Sequence, residues 1–115
     1  MSTGRYAPSP SGRMHLGNLM CCLLAWLSAK SKGGQVLLRI EDLDTQRCPC
    51  VFADAIIDDL AWLGLAADGP QLPVYQSERA EIYQRYYDIL DRRGLVYPCF
   101  CSRSQLHAAS APNRS

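Results

Sequence analysis

No aspartate or glutamate occurs in the first forty residues, although the 115-residue chain holds eleven acids in all. That stretch carries Arg5, Arg13, Lys30, Lys32 and Arg39 unopposed, a local charge of +5. The remaining 75 residues, with seven bases and eleven acids, sum to −4. A net charge of only +1 therefore hides an N-terminal part suited to attract an anion. A long hydrophobic run is also missing. The apolar stretch from Leu16 to Leu27 is amphipathic and shorter than the roughly 18 residues that a membrane span needs. Arg5, Arg13 and "LSAKS" have the flavour of a secretory signal, but Pro8, Pro10, His15 and Asn18 argue against one. Neither G-K-[ST] nor G-x-G-x-x-G occurs, which excludes the P-loop and the dinucleotide fingerprint.

Cysteine is not scarce, yet its arrangement excludes a secreted disulfide framework. The six cysteines form three close pairs, Cys21/Cys22, Cys48/Cys50 and Cys99/Cys101. Neighbours that close bridge each other only with strain, whereas a C-x-C unit can offer two thiolates to a metal. A reducing cytoplasm and no membrane follow as expectations. With 48% hydrophobic residues the chain can build a core and has no mark of disorder.

"GRYAP" reads as a short strand that Pro8 ends, since proline lacks the ladder donor. A helix is expected from about His15 to Lys32. Leu16, Leu19, Met20, Leu23, Leu24 and Leu27 follow the period of one helix face and are its expected core side. Gly33 and Gly34 stop it, with Lys30 and Lys32 near its C-terminal dipole. "QVLLRIEDLD" is a continuous apolar run of the kind found in strands covered on both faces. Strand, helix and strand make a βαβ unit with a right-handed parallel crossover. A second helix, near Val51–Leu63, turns Phe52, Ile56, Leu60 and Leu63 to one side. "GLAADGPQLP" is a loop. A third helix begins near Ser77, a candidate cap, and runs to Gly94. "LVYPCFC" is extended, and "HAASAPNRS" has little reason to fold alone. The fold class is α/β with an incomplete parallel sheet and flanking helices, and too few strands for a finished doubly wound sheet. The chain is expected to be part of a larger protein.

The turn "APSPSGRMHLGN", residues 7 to 18, sits where an open parallel sheet binds its ligand, beyond the carboxyl end of a strand and before a helix start. Gly12 and Gly17 allow close backbone approach. Ser9 and Ser11 add hydroxyls, and Arg13 and His15 can add positive charge. A proline-stiffened turn with His15 as a cap or surface side chain explains the same residues, and spacing alone leaves both readings open.

Three stretches in order narrow the choice. "GRYAPSPSGRMHLGN" resembles the HIGH signature of class I aminoacyl-tRNA synthetases in its glutamyl form, with His15, Leu16, Gly17 and Asn18 at the four HIGH positions. "RIEDLD", residues 39–44, matches the second landmark of that family, and "YPCFCS" looks like the start of its zinc-binding insertion. The resemblance implies a Rossmann-like catalytic domain, its N-terminal half in residues 1–97 and a truncated insertion in 98–115. Ordinary glutamyl enzymes tend to read S-P-T-G, H-x-G-G-A-R-T and R-I-E-D-T-D. The departures here, S-P-S-G, H-L-G-N-L-M and R-I-E-D-L-D, resemble a truncated paralogue. That paralogue lacks the anticodon-binding domain and transfers glutamate to the queuosine base of tRNA(Asp). A glutamyl-tRNA synthetase charging tRNA(Glu), and a nucleotide- or zinc-binding module without catalysis, are the alternatives. The family's KMSKS-type loop does not occur in the sequence.

The resemblance further implies roles. His15, Gly17 and Asn18 stabilise charge as glutamate attacks the α-phosphorus of ATP, which comes with Mg²⁺. The stretch Pro8, Ser9, Pro10, Ser11, Gly12, Arg13, Met14, His15, Leu16, Gly17 and Asn18 contacts ATP. Arg5, Tyr6, Ala7, Pro8, Ser9 and Glu41 hold glutamate, Arg5 taking a carboxylate and Glu41 the ammonium, and Arg5 and Glu41 should border one pocket. Arg5 could equally be a surface charge, and Glu41 part of an acidic turn. Cys99 and Cys101 are the first two ligands of one Zn²⁺ per chain. Cys48 and Cys50 would make up four thiolates, but the family places no ligands there. Cys21 and Cys22 lie inside a helix and read as core residues. Tyr83, Tyr86 and Tyr87 are spaced for packing beside Ile82, Ile89 and Leu90, although a base-stacking platform has the same look. A monomer is expected.

Overall fold

The computed structural model describes residues 2–69 and 73–110. The chain divides into two compact units, Met1–Ala80 and Glu81–Ser115. In the first, β1 (Thr3–Tyr6), α1 (Leu16–Lys30), β2 (Gln35–Ile40), α2 (Cys50–Trp62) and β3 (Val74–Tyr75) alternate along the sequence. The strands form a parallel sheet in the order β1-β2-β3, with Gly4 opposite Val36, Tyr6 opposite Leu38 and Ile40 opposite Tyr75. A short 3₁₀ turn, Ser77–Arg79, follows β3.

The core lies on one face of this sheet. Val36, Leu38 and Ile40 are buried and alternate with the more exposed Gln35, Leu37 and Arg39. The continuous apolar run of β2 therefore reads as a strand covered on one face, not on both. Three strands in sequential order receive both right-handed crossovers on the same side, so one face is packed. Ala53, Ile56 and Leu60 of α2 join Tyr6, Cys22 and Ala29 in that core. Burying a side chain such as Ile56 or Leu60 stabilises the fold by about 1.5–3 kcal/mol. Leu63, expected on that side of α2, is 41% exposed.

The contact face of α1 differs from the one its leucines suggest. Cys22 and Ala29 are buried, with Ala25 and Trp26 packed beside them, whereas Leu16 is 82% and Leu24 55% exposed. Met20, Leu23 and Leu27 also face outward. The physical reason is the approach distance. A Cβ built on Gly4 of β1 would stand 3.1 Å from Ala29 Cβ and 3.4 Å from the Ala25 carbonyl oxygen. Leucine at those helix positions would hold the two elements apart. Small side chains let α1 sit against the sheet, and the leucine stripe is left on the far side. The end of α1 is fastened by Lys30, whose Nζ donates to both carboxylate oxygens of Asp68 at 2.7 Å. Asp68 also accepts the Val36 N–H at 2.7 Å, while its own N–H donates to the Val36 carbonyl. The Lys30 bonds, joined by that of Val36, hold the Asp68 carboxyl below the usual carboxylate range.

The second unit holds nearly all of α3 (Ala80–Arg92) and α4 (Arg103–Ser110). No residue of α3 is buried, and Tyr86 and Tyr87 are exposed, against the expectation that they pack. Residues 103–110 are helical although the tail composition gives little reason for it. The missed signal is Ser102-Arg103-Ser104-Gln105, a capping box. The Ser102 hydroxyl accepts the Gln105 N–H at 3.4 Å, and Gln105 Oε1 accepts the Ser102 N–H at 2.7 Å. Residues 70–72 of the expected loop and 111–115 of the tail lie outside the described residues. All six cysteines are free. Among the described residues no helix is long and apolar enough to cross a membrane.

Candidate active site

The segments that follow the three strands meet at one edge of the sheet. The Glu41 N–H, just past β2, donates to the Pro8 carbonyl past β1 at 2.9 Å, and the Gln76 N–H past β3 donates to the Ile40 carbonyl at 3.0 Å. Asp42 then accepts the backbone N–H of Ser77 at 2.9 Å and its hydroxyl at 2.7 Å. Ser77 is thus a donor to Asp42, and no side-chain cap bond marks the start of its turn. Burial pushes the Asp42 carboxyl up, but the hydrogen bonds from Ser77 prevail and leave it below its ordinary value.

Residues 7–18 occupy this edge between β1 and α1. Pro10 is fully buried and anchors the turn. His15 is the N-cap of α1, with φ −90° and ψ 170°. Its Nδ1 accepts the Gly17 N–H at 3.1 Å, and its own N–H donates to Asn18 Oδ1 at 3.2 Å. The cap reading and the ligand-site reading of His15 are therefore compatible, since only one ring nitrogen is used by the cap. Arg13 donates to Asp59 of α2 at 2.7 Å, with 70% of its side chain still exposed.

Three adjoining recesses run along the edge. The first, ≈ 180 Å³, is lined by Arg5, Tyr6, Ala7, Pro8, Met14 and Asn18. The second, ≈ 490 Å³, has Ser9, Ser11, Gly12, Arg13, His15 and Asn18 on its walls and shares Ala7, Pro8 and Met14 with the first. The third, ≈ 320 Å³, is lined by Ser9, Ser11, Glu41, Asp44, Arg47 and Gln76. Arg5 and Glu41, expected at one pocket, belong to the first and third of these. Asn18 and Ser9 connect them through the second.

Two expected contacts are already engaged within the protein. Glu41, the residue after β2, is paired with Arg39 two residues earlier, and their side chains are 30% and 29% exposed. The Arg39 Nε is buried without a partner among the described residues. Tyr6 is 2% exposed and belongs to the core, where its phenolic oxygen has no hydrogen-bond partner among the described residues. Burial, with smaller contributions from Cys22 and Asp68, pushes that phenol up to about 12. Leu16, 82% exposed, opens the first turn of α1. The sequence reading missed Arg39, Asp59 and Ser77 as parts of the edge. An arginine two residues before Glu41 in a strand was a readable signal for the first. The others are joined only by the fold.

Cys99 and Cys101 are both exposed. Among the described residues no group of three or more His, Cys, Asp or Glu is placed to hold a metal. Two thiols fill half of the tetrahedral shell that structural zinc takes, so the pair by itself is not a zinc site.

A parallel α/β sheet with loops and a capped helix start at the carboxyl ends of its strands has the architecture of a nucleotide-binding enzyme domain. Comparison makes this specific. The family described as "tRNA synthetases class I (E and Q), catalytic domain" matches residues 2–114, and the chain belongs to it. A protein of Symbiobacterium thermophilum named Glutamyl-Q tRNA(Asp) synthetase is 50% identical over 98% of the chain and 37% of its own length. One of the same name from Nitratidesulfovibrio vulgaris is 48% identical with the same shares. Glutamate–tRNA ligase 2 of Alkalilimnicola ehrlichii is 44% identical over 96% of the chain and 24% of its own length. Among solved structures, a glutamate tRNA ligase from Elizabethkingia meningosepticum, in complex with its amino acid, matches with a TM-score of 0.76 and 38% identity. That match covers 93% of this chain and 22% of the ligase. The chain thus spans little more than a third of the Glutamyl-Q relatives, at 37%. The Rossmann-like class expected from the sequence agrees with these neighbours and with the three-stranded parallel sheet.

Proposed function

We propose that these residues form the glutamate- and ATP-binding part of a ligase that activates glutamate and transfers it to the queuosine base in the anticodon of tRNA(Asp). The observation that carries the reading is the run of recesses from Arg5 past His15 and Asn18 to Glu41, at the carboxyl edge of a parallel sheet. The names of relatives 48% and 50% identical over 98% of the chain support this acceptor.

In this reading the glutamate carboxylate attacks the α-phosphorus of ATP and pyrophosphate leaves, with Mg²⁺ neutralising phosphate charge. His15 and the N–H groups at the start of α1 face the developing negative charge. Fixed donors of that kind lower such barriers by several kcal/mol. Arg5, with a forked guanidinium, receives a substrate carboxylate. Glu41, oriented by Arg39, receives the ammonium. Ala7, Pro8 and Ser9 supply walls and backbone groups to glutamate. Tyr6, a core residue, supports the recess from behind. Pro10, Ser11, Gly12, Arg13, Met14 and Leu16 shape the ATP side. Cys99 and Cys101 would be the first two of four zinc ligands, and the reaction takes no step through that metal. The place of work is the cytoplasm.

Glutamate-dependent pyrophosphate exchange tests activation. Glu41→Gln is expected to weaken glutamate binding much more than ATP binding, and equal loss of both sinks that assignment. Transfer of labelled glutamate to queuosine-containing tRNA(Asp) and to tRNA(Glu), by a full-length protein carrying these residues, tests the acceptor. The second reading, charging of tRNA(Glu), is favoured by the ligase 2 relative and the solved ligases. Transfer to tRNA(Glu) alone would establish it instead. Zinc content compared between the protein and its Cys99→Ser/Cys101→Ser variant decides the metal assignment.

A further inference from the structure

We infer that Gly17 and Asn18 serve the proposed reaction through His15, as positioning residues that fix its backbone and its ring so that Nε2 carries the proton and faces an anion. The chemistry rests on the reading above. The geometry stands by itself.

Each polar group of His15 but one is held. Its N–H donates to Asn18 Oδ1 at 3.2 Å, and its carbonyl accepts from Asn18 and Leu19 at 3.0 and 3.2 Å. Its Nδ1 accepts from Gly17 N–H at 3.1 Å. A neutral imidazole has one donor and one acceptor nitrogen. A nitrogen that accepts an N–H carries no proton, so the proton sits on Nε2. That second nitrogen belongs to an exposed side chain on the wall of the ≈ 490 Å³ recess. The ring rests where residue 17 has no side chain. A Cβ there would lie 2.9 Å from His15 Cε1 and 3.1 Å from Nδ1. The glycine therefore makes room for the imidazole, and its N–H selects the tautomer.

Asn18 stands at the fourth position of the motif, where a direct contact to ligand was expected. Its Oδ1 accepts from the His15 backbone, and its Nδ2 is the donor it can offer to the two recesses it lines. Capping through Nδ1 needs the same bare nitrogen. What positioning adds is a ring held in place by the bare Cα of residue 17, and a variant that keeps the helix while displacing the ring separates the two roles.

The full 115-residue chain, labelled with ¹⁵N-histidine, gives two sets of ring signals, from His15 and His107. A His107→Gln variant assigns them. Long-range proton–nitrogen spectra are expected to show His15 with a bare Nδ1 and a protonated Nε2 at neutral pH. Gly17→Ala adds a good helix former, so helix content and melting temperature should hold or rise. The excess of the Nε2–H form should nevertheless fall roughly fivefold, the size of one ordinary hydrogen bond. Asn18→Ala should loosen the ring in the same direction. Asn18→Asp, which keeps an oxygen acceptor, should restore it. A wild-type His15 protonated at Nδ1, or ring signals unchanged in Gly17→Ala, overturns the inference. Because no ATP or glutamate is present, the outcome is independent of pyrophosphate exchange, and either reading can fail without the other.

Discussion

Asp42 and Ser77 lie thirty-five residues apart in the chain, and the carboxylate of the first takes both the N–H and the hydroxyl of the second. This double bond of contacts ties the segment after β2 to the segment after β3. Ser77→Ala removes the 2.7 Å hydroxyl bond and should cost about 1 kcal/mol at neutral pH. The Asp42 carboxyl is lowered in the fold, so its contribution is present above the ordinary carboxylate value of about 3.9 and is lost as pH falls through the lower folded value. Urea unfolding at a series of acid pH values should therefore show a smaller loss of stability on acidification in Ser77→Ala than in the parent chain.

Tyr6→Phe should hold or raise stability. The phenolic oxygen is buried and makes no hydrogen bond among the described residues, so its removal abolishes a desolvation cost of about 1 kcal/mol without leaving a partner unpaired. With the folded phenol at about 12, the native state favours the neutral form. That contribution is complete below the unfolded value of about 10 and is lost as pH rises from there through the folded value. Burial also raises the Tyr75 phenol, so ultraviolet titration should show a late tyrosine component that shrinks in the variant and does not vanish.

The outward leucine stripe of α1 and the core that α2 helps to fill should respond unequally to mutation. Leu24→Ala on the outward stripe is expected to change stability by less than about 0.5 kcal/mol. Ile56→Ala in the core should cost about 2–5 kcal/mol. Replacing Leu16, Met20, Leu24 and Leu27 together by glutamine should lower the binding of an apolar dye by the isolated chain while its helical circular dichroism stays.

Asp59→Asn releases Arg13. The pair is exposed on the arginine side, so stability should shift by no more than about 0.5 kcal/mol. The freed guanidinium lines the largest of the three recesses, and calorimetric titration with inorganic pyrophosphate should show tighter binding, by a factor of several. Unchanged affinity would mean that Arg13 is not a phosphate contact.

Much of this edge was legible in the sequence. The turn chemistry of residues 7–18, the βαβ order and the end of α1 near Lys30 depend on neighbours a few residues apart, and local physics states such things well. The face that α1 turns to the sheet was not legible, because a leucine stripe announces itself by hydropathy while the alanines opposite Gly4 act by being small. Asp42 with Ser77 and Arg13 with Asp59 have no local signature at all. Their spacing is set by the whole sheet. The Ser102–Gln105 box is the reverse case, a local signal in plain view within a tail whose composition suggested nothing.

The bonds from Glu41 to Pro8, from Gln76 to Ile40 and from Ser77 to Asp42 join segments drawn from three distant parts of the chain. None of them can persist when one strand leaves the sheet. The recesses are thus a product of cooperative assembly, and a molecule that occupies them binds the folded state alone. Occupancy then becomes a thermodynamic clamp: at a hundredfold excess over its dissociation constant a ligand adds about 2.7 kcal/mol to the unfolding free energy. A melting curve is therefore an assay for what this edge recognises, even where no turnover occurs.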